Sequence, residues 1–541
     1  MLREEIKKLT EKAIKKLQKK KVFLKFDIPK IKTEHPEEKT HGDYATNIAM
    51  VLAKRVKKNP IEIAEIVTES LSHLATESLL DKVEVAKPGF INFFLSKEFL
   101  QKQIEEILKK GEKFGQLEAG KNQKIQVEFI SANPTGPLTV GNARGGPFGD
   151  VLANVLKKAG FRVEKAYYVN DYGMQILTLG HSVLKDKEVP KESKLPTGQA
   201  KYKGEYIDYL NKKIKEKNPY KAGEIAAKII IKEMIKKTTD RMGIRYDEWI
   251  SETKLHNSDA VDKILKILKK KGLIYEKEGA LWFKSSKYGD KRDRVVVKKD
   301  GWKTYLAGDF ALHKYKFEEK KFDKVINIWG ADHSGDVAGL QAGVSAIGHK
   351  GKLDIILLQF VTLFEKKEKL KMSKRLGIYV TMDELLNKVP LDVVRFFFLQ
   401  KSPDTHLNFD LDLAKKQSKK NPVFYVQYAH ARICSILRKA KSFKFQVSSS
   451  KLLNHPSELT LIKELIKFPE IIEDTAKDYQ VQRLPQYALD LSTFFHQFYR
   501  DCKVLTADKN LKKARLVLIL ATKIVLKNTL DLMGISVPER M

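Results

Sequence analysis

The sequence predicts an α/β fold built on a doubly wound parallel sheet, with an α+β domain before it and an all-α bundle after it. Three observations predict this. A strand, a glycine-rich loop, a helix and a second strand follow one another from Lys124, the order that opens such a sheet. Further strand and helix patterns continue from about Asp323. From Asn421 to Met541 apolar residues recur at helical spacing, with no convincing strand.

At 541 residues the chain is too long for one core; about 150 residues per domain suggests three or four units. Residues 1–110 read as a small α+β domain: an amphipathic helix over 2–20, then KVEVAKPGFINFFLS, which alternates like two strands around Lys87-Pro88-Gly89. Lys110 to Gly115 is a polar, glycine-bearing linker. Residues 120–400 carry the Rossmann-like sheet. KIQVEFI alternates apolar and polar residues, SANPTGPLTVGNARGG is the loop, PFGDVLANVLKKAG the helix with Pro147 in its first turn, and FRVEKAYYV the next strand. DKVINIWG, the helix DVAGLQAGVSAIG and a strand LDIILLQFVTLF continue the sheet, and Thr381-Met382-Asp383-Glu384 is a capping box. An insertion over about 182–300 holds long helices and a short β unit. Residues 401–541 form the expected all-helical domain.

Composition narrows the function. Apolar residues at 42% suffice to fill these cores. There is no run of eighteen apolar residues, and the N-terminus lacks the apolar stretch of a signal peptide, so a cytoplasmic protein off the membrane is expected. Cys434 and Cys502 form no CxxC pair and no zinc spacing, which fits a reducing compartment and no protein-bound metal. The net charge of +34, from 102 Lys and Arg against 68 Asp and Glu, suits a polyanionic partner. The lysines are spread along the whole chain, so a generally solvated surface is the competing reading.

Two loops carry the chemistry. Ala132 to Asn142 lies between a strand end and a helix start, where backbone N–H groups and the helix dipole favour anions. Gly136, Gly141, Gly145 and Gly146 permit close approach of a phosphate. It is not a Walker loop, because Asn142-Ala143 stands where Lys-Ser/Thr is required, and Gly141-x-x-x-Gly145 is not the dinucleotide spacing. A glycine-rich turn without ligand is the alternative. The second loop is Lys371-Met372-Ser373-Lys374. Two ammonium groups there suit charge building on a transferring phosphoryl group; a solvated lysine-rich loop is the alternative.

Together the loops resemble the two signatures of class I aminoacyl-tRNA synthetases, and the chain is similar to the arginyl-tRNA synthetase family along nearly its whole length. The matching stretches run Gly42 to Asn47, Pro88 to Phe93, Ser131 to Pro137, Tyr168 to Asp171, Gly330 to His333, Lys371 to Lys374, Gln427 to Arg432 and Pro538 to Met541. One departure stands out: the family usually has His at both outer positions of the first signature, and here they are Thr139 and Asn142. Both side chains hydrogen-bond phosphate or ribose oxygens but neither carries a proton charge; some tryptophanyl enzymes have a similar Thr/Asn form.

The resemblance implies roles. Arginine presents a planar fork of five donors, which carboxylates in one plane can read against lysine. Glu128 and Asp309 would hold the guanidinium, with Glu252 a further candidate. Tyr305 would line its face, Ser131 and Asn133 would hold the amino-acid end, and His333 would lie nearby. Thr139, Gly141, Asn142, Gly330, Asp332, His333, Lys371, Met372, Ser373 and Lys374 would bind ATP, with Mg²⁺ on its phosphates. Thr139, Asn142, Lys371 and Lys374 would act in catalysis. Arginine-specific tRNA would be the macromolecular partner of a monomer. Phe90 and Asn92 would meet its elbow, and Tyr425, Tyr428, Arg432 and Met541 its anticodon loop. Tyr425, Tyr428 and Arg432 share one helical face, which is equally the spacing of a core stripe.

The implied reaction is attack of the arginine carboxylate on the α-phosphorus of ATP, then transfer of arginine from the adenylate to a tRNA ribose hydroxyl. The family commonly needs tRNA for the first step. A non-catalytic synthetase-like tRNA-binding protein is the main rival reading, with Thr139 and Asn142 its best support. A class I enzyme for another amino acid and a free-standing nucleotidyltransferase are further rivals.

Overall fold

The computed structural model describes residues 2–72, 79–184, 202–370, 380–440 and 447–541. The N-terminal region opens with the helix Leu2–Lys19, whose Ile6, Ala13, Ile14 and Leu17 are buried. Strands β1 (Tyr44–Thr46), β2 (Leu80–Ala86) and β3 (Phe90–Leu95) form an antiparallel sheet in the order β1-β3-β2. Helices Ile48–Val56 and Pro60–Ser72 complete this part.

The central sheet has five parallel strands: β4 (Lys124–Glu128), β5 (Arg162–Val169), β6 (Glu248–Ser251), β10 (Lys324–Gly330) and β11 (Leu353–Leu358). Their order is β11-β10-β4-β5-β6. The first strand in sequence thus lies mid-sheet, and the order reverses between β4 and β10, as in a doubly wound fold. Ile125, Val127, Ile326 and Ile328 enter the core that includes helix Gly145–Lys158 and the C-terminal helices. Val325 faces the opposite core with Phe310 and Leu340. Strict alternation of the strand residues therefore feeds two separate cores.

Three details depart from the sequence reading. First, β6 falls within the stretch read as an insertion, yet it pairs with β5 and forms an edge of the central sheet. Second, LDIILLQFVTLF is two strands. It breaks at Gln359-Phe360, where Gln359 N–H donates to Pro403 O at 2.9 Å and the Arg144 guanidinium donates to Gln359 O. Beyond the break, β12 (Val361–Glu365) pairs with β13 (Glu368–Lys369) and, in parallel, with β14 (Leu407–Asp410). Third, β14 lies inside the stretch expected to be all-helical. The β unit of the insertion is as expected: β7 (Ile274–Lys277), β8 (Ala280–Phe283) and β9 (Arg294–Val297) are antiparallel.

The C-terminal helices Pro422–Lys439, Pro456–Ile466, Phe468–Asp478, Arg483–Asp501 and Lys509–Met533 share a core with the central sheet. Arg395, 1% exposed, ties these parts together: it donates to Met533 O, Met242 O and Asp150 Oδ2. Gly534 ends the last helix at φ 62°, and a Cβ there would stand 2.5 Å from the Arg395 guanidinium, so the position takes only glycine without rearrangement. The buried Glu470 accepts from Tyr44 Oη at 3.0 Å and Arg3 N at 3.2 Å, and lies 2.9 Å from His35 Nε2, which joins the first and last parts of the chain.

Candidate active site

The crevice past the carboxyl ends of β4 and β10 is where a doubly wound sheet binds its ligands. The chain leaving β4 takes an unusual course. Ile130 and Ser131 have φ of 64° and 39°, a region that costs a β-branched residue about 1–3 kcal/mol. Surrounding hydroxyls hold the turn. Tyr246 Oη donates to Phe129 O at 3.2 Å, Tyr167 Oη to Ala132 O at 2.9 Å and Tyr206 Oη to Thr135 O at 2.8 Å. Ser131 Oγ accepts from Tyr168 N at 3.0 Å and donates to Glu128 Oε1 at 3.3 Å. Sequence reasoning gave none of these tyrosines a role, because isolated aromatics in strands and helices read as packing.

The loop ends in the short helix Val140–Ala143, with Thr139 as N-cap. Thr139 Oγ1 donates to Asn142 Oδ1 at 2.6 Å and accepts from Asn142 N at 3.3 Å. The two residues that replace the usual histidines are thus bonded to each other. Gly141 between them has nothing within 4 Å of a Cβ position, so this side of the turn is open.

Lys371, Met372, Ser373 and Lys374 lie outside the described residues. The chain that follows them does not. Val140 N donates to Val380 O at 3.2 Å, Met382 N donates to Leu138 O at 2.8 Å, and Thr139 bridges Thr381. The first signature is therefore stitched to the segment emerging from the second. Lys374 is six residues from Val380, a chain length of about 21 Å at most. The expected capping box is present: Thr381 and Glu384 cap each other's backbone.

Across the crevice β10 ends at Gly330. The exposed Asp332 carboxylate folds back over it, its Oδ1 2.3 Å from where a Cβ on Gly330 would stand. Asp332 and His333 are exposed, 3.9 Å apart, and the His333 ring lies 5.9 Å from Trp329. They front open space, as an adenosine contact requires.

The acidic residues converge. Helix Tyr305–Lys314 carries Tyr305, 58% exposed, and Asp309 one turn later. Glu252, 4% exposed, starts the helix after β6; its Oε1 would lie 3.0 Å from a Cβ on Gly308, beside Asp309. Burial, then the charges of Glu252 and Glu128, push the Asp309 carboxyl well above its usual range. Burial likewise raises Glu252, against a partial offset from His256 at 3.9 Å. Glu252 Oε2, Tyr168 Oη and His256 Nδ1 are buried without a hydrogen-bond partner. Two carboxyls raised by burial and only partly offset, with three orphaned polar atoms of which one belongs to Glu252 itself, call for a polar, cationic occupant. His256 also stacks on Tyr172 at 3.7 Å; neither residue was singled out from sequence.

Glu128 differs from its two acidic neighbours. It is 3% exposed and already paired, its Oε2 accepting from Lys316 Nζ at 2.5 Å. Asn133 is exposed at the loop surface, its carbonyl accepting from Thr135 N at 2.7 Å.

The residues expected to meet RNA fall into two surface groups. Phe90, 37% exposed, and the buried Asn92 line a pocket of about 300 Å³ with His35, Asn47 and Lys87. On helix Pro422–Lys439, Tyr425 and Tyr428 lie 5.2 and 6.0 Å from the His496 ring, and the Arg432 guanidinium lies 4.5 Å over Tyr499. His496 and Tyr499, missed in the sequence, come from helix Arg483–Asp501. Burial and the Arg432 charge push His496 down to about 4. The chain terminus runs alongside, with Pro538 O 2.9 Å from His430 Nδ1 and Glu539 O accepting from Arg438 at 3.0 Å; Met541 is 55% exposed.

Comparisons with known proteins agree with this architecture. Residues 4–95 match the arginyl tRNA synthetase N terminal domain, 103–395 the catalytic domain of class I tRNA synthetases (R), and 426–541 the DALR anticodon binding domain. An arginine--tRNA ligase of Caldanaerobacter subterraneus subsp. tengcongensis is 44% identical, over 100% of this chain and 99% of its own length. One from Carboxydothermus hydrogenoformans is also 44% identical, over 94% of both chains. In fold, the Thermus thermophilus arginyl-tRNA synthetase covers 100% of both chains with a TM-score of 0.77 at 22% identity. The chain belongs to the arginyl-tRNA synthetase family of class I aminoacyl-tRNA synthetases.

Proposed function

We propose that this protein attaches arginine to its cognate tRNA at the expense of ATP, through an arginyl-adenylate, releasing AMP and pyrophosphate. The observation that carries the reading is the pair of raised, only partly offset carboxyls of Asp309 and Glu252, at the carboxyl-end crevice of the central sheet. A guanidinium has donors enough for both acids and for the orphaned Tyr168 Oη. Tyr305 covers its face, and Ser131, Asn133 and His333 meet the amino-acid end. The turn at Thr139, Gly141 and Asn142 faces the phosphates, Gly330 and Asp332 the adenosine, and Lys371 and Lys374 the charge of the transferring phosphoryl group. No covalent enzyme intermediate is needed, so catalysis rests on positioning and electrostatics. Mg²⁺ would come with the substrate, carried on the ATP phosphates.

In the same reading, residues 1–110 bind the tRNA elbow through Phe90 and Asn92. Residues 120–400 do the chemistry, and the helices beyond bind the anticodon loop through Tyr425, Tyr428, Arg432 and Met541. The enzyme works as a cytoplasmic monomer. No helix among the described residues is long and apolar enough to cross a membrane.

Arginylation of bulk tRNA by the purified protein tests the assignment. Charging with arginine alone among the twenty amino acids is the expected result; charging with another amino acid instead defeats it. The mutual Thr139–Asn142 hydrogen bond favours one rival, a tRNA-binding protein without chemistry. Binding of tRNA with no ATP–pyrophosphate exchange in the presence of arginine and tRNA would establish that rival.

A further inference from the structure

Strand β4 alternates Ile125 and Val127 with Gln126 and Glu128. Its polar face does not meet solvent: Gln126, Glu128 and Asn327 of β10 are all buried. What covers it is the run of helix Tyr305–Lys314 continued by the π-turn Tyr315–Glu319. Asp309, His313 and Lys316 fall at i, i+4 and i+7, so one face of that run carries all three. Lys316 is 0% exposed, with Nζ 2.5 Å from Glu128 Oε2 and 3.5 Å from Asn327 Oδ1.

The surrounding hydrogen bonds allow a single arrangement. His313 Nδ1 lies 2.7 Å from the Asp309 carbonyl, so that nitrogen donates. Nε2 is then the acceptor, taking Asn327 Nδ2–H at 3.1 Å. That orients Asn327 with its oxygen toward Lys316. Burial and the Lys316 charge push His313 down to about 3, which keeps it neutral and preserves this tautomer. Every group in the chain from Asp309 to Glu128 thus has a defined donor and acceptor, and an ammonium is the group that closes it.

We infer that Lys316 is a positioning residue for arginine recognition: it claims Glu128 as a scaffold carboxylate and so reserves Asp309 and Glu252 for the guanidinium. The inference rests on the pocket assignment given under the proposed function. Lys316 is too deep to touch substrate and acts through Glu128. Three carboxylates would otherwise stand under one cleft with no fixed cation. Glu128 strengthens the hold of Asp309 on its proton and Lys316 weakens it. Without the ammonium, Asp309 would hold its proton more tightly, and Glu128 would stand as an unpaired third carboxylate competing for the guanidinium.

The test uses full-length Lys316→Met, Glu128→Gln, the double variant and Asp309→Asn, with arginine and ATP KM and kcat read in arginylation. Lys316→Met should raise the arginine KM about tenfold or more and leave the ATP KM near its parent value. Adding Glu128→Gln to Lys316→Met should recover most of that loss, because no unpaired buried charge remains. A double variant worse than Lys316→Met means Glu128 itself reads the substrate and overturns the inference. An unchanged arginine KM in Lys316→Met overturns it as well. Should Lys316→Met not fold, the charge-free double variant decides: an arginine KM well below that of Asp309→Asn supports the inference, and one equal to it overturns it. Failure of the pocket assignment has a separate signature, an Asp309→Asn enzyme with unaltered arginine KM.

Discussion

Replacing Asp309 by asparagine keeps the shape of the side chain and removes one carboxyl from the proposed arginine pocket. In the folded protein burial and the neighbouring Glu252 and Glu128 raise this carboxyl well above its unfolded value. A carboxyl raised in this way contributes stability that is complete below the unfolded pKa and is lost as pH rises through the folded one. At neutral pH the protein therefore holds Asp309 at a cost, which arginine bound in the proposed pocket would relieve. A hydrogen bond to a charged partner is worth about 1.5–3 kcal/mol, so losing it should raise the arginine KM about 10- to 150-fold. Binding linkage gives a second measure. Arginine at about a hundred times Kd stabilises the parent by about 2.7 kcal/mol; the same concentration would stabilise the variant by only about 0.3–1.4 kcal/mol. Thermal unfolding with and without arginine reads this directly. The ligand-free variant should melt no lower than the parent. An unchanged arginine KM together with an unchanged arginine-induced shift in Tm would refute the reasoning.

Four further outcomes are expected. Asp309 and Glu252 both titrate above their ordinary values of 3.8 and 4.5, so the arginine KM should fall as pH rises through that raised range; a flat profile there counts against the pocket. Lys374→Ala should lower kcat for ATP–pyrophosphate exchange far more than it changes the arginine KM, and an equal effect on both would deny a transition-state role. Arg432→Ala should raise the tRNA KM with the arginine KM unchanged, since its guanidinium lies over Tyr499 on the anticodon-binding helices; unaltered tRNA KM removes it from the interface. Gly180→Ala should destabilise the fold by about 1–3 kcal/mol, because its Cβ would lie 1.7 Å from Pro219 O where two helices cross; wild-type thermal stability would contradict that packing.

Much of the molecule is legible in local pattern. Alternation marks β4 as a strand, the stretches FRVEKAYYV and DKVINIWG read as β5 and β10, and glycine and proline mark the loop after β4. The i, i+3 and i+7 placing of Tyr425, Tyr428 and Arg432 marks a helix with one distinctive face. The order of short motifs from Gly42 to Met541 points to the family, since each motif depends on residues adjacent in sequence. Periodicity says which side chains share a face; it does not say what lies against that face. Only the tertiary structure shows that the polar side of β4 is roofed by a helix nearly two hundred positions away, which gives Glu128 to Lys316. The same holds for β6, an edge of the central sheet drawn from a stretch that reads as inserted helices, and for the break at Gln359-Phe360, imposed by Pro403 and Arg144. His496 and Tyr499 beneath Tyr425 and Arg432 are a further case. Local sequence sets the backbone's short-range preferences, but partners across the fold are chosen by which buried polar groups can satisfy one another once the chain has closed.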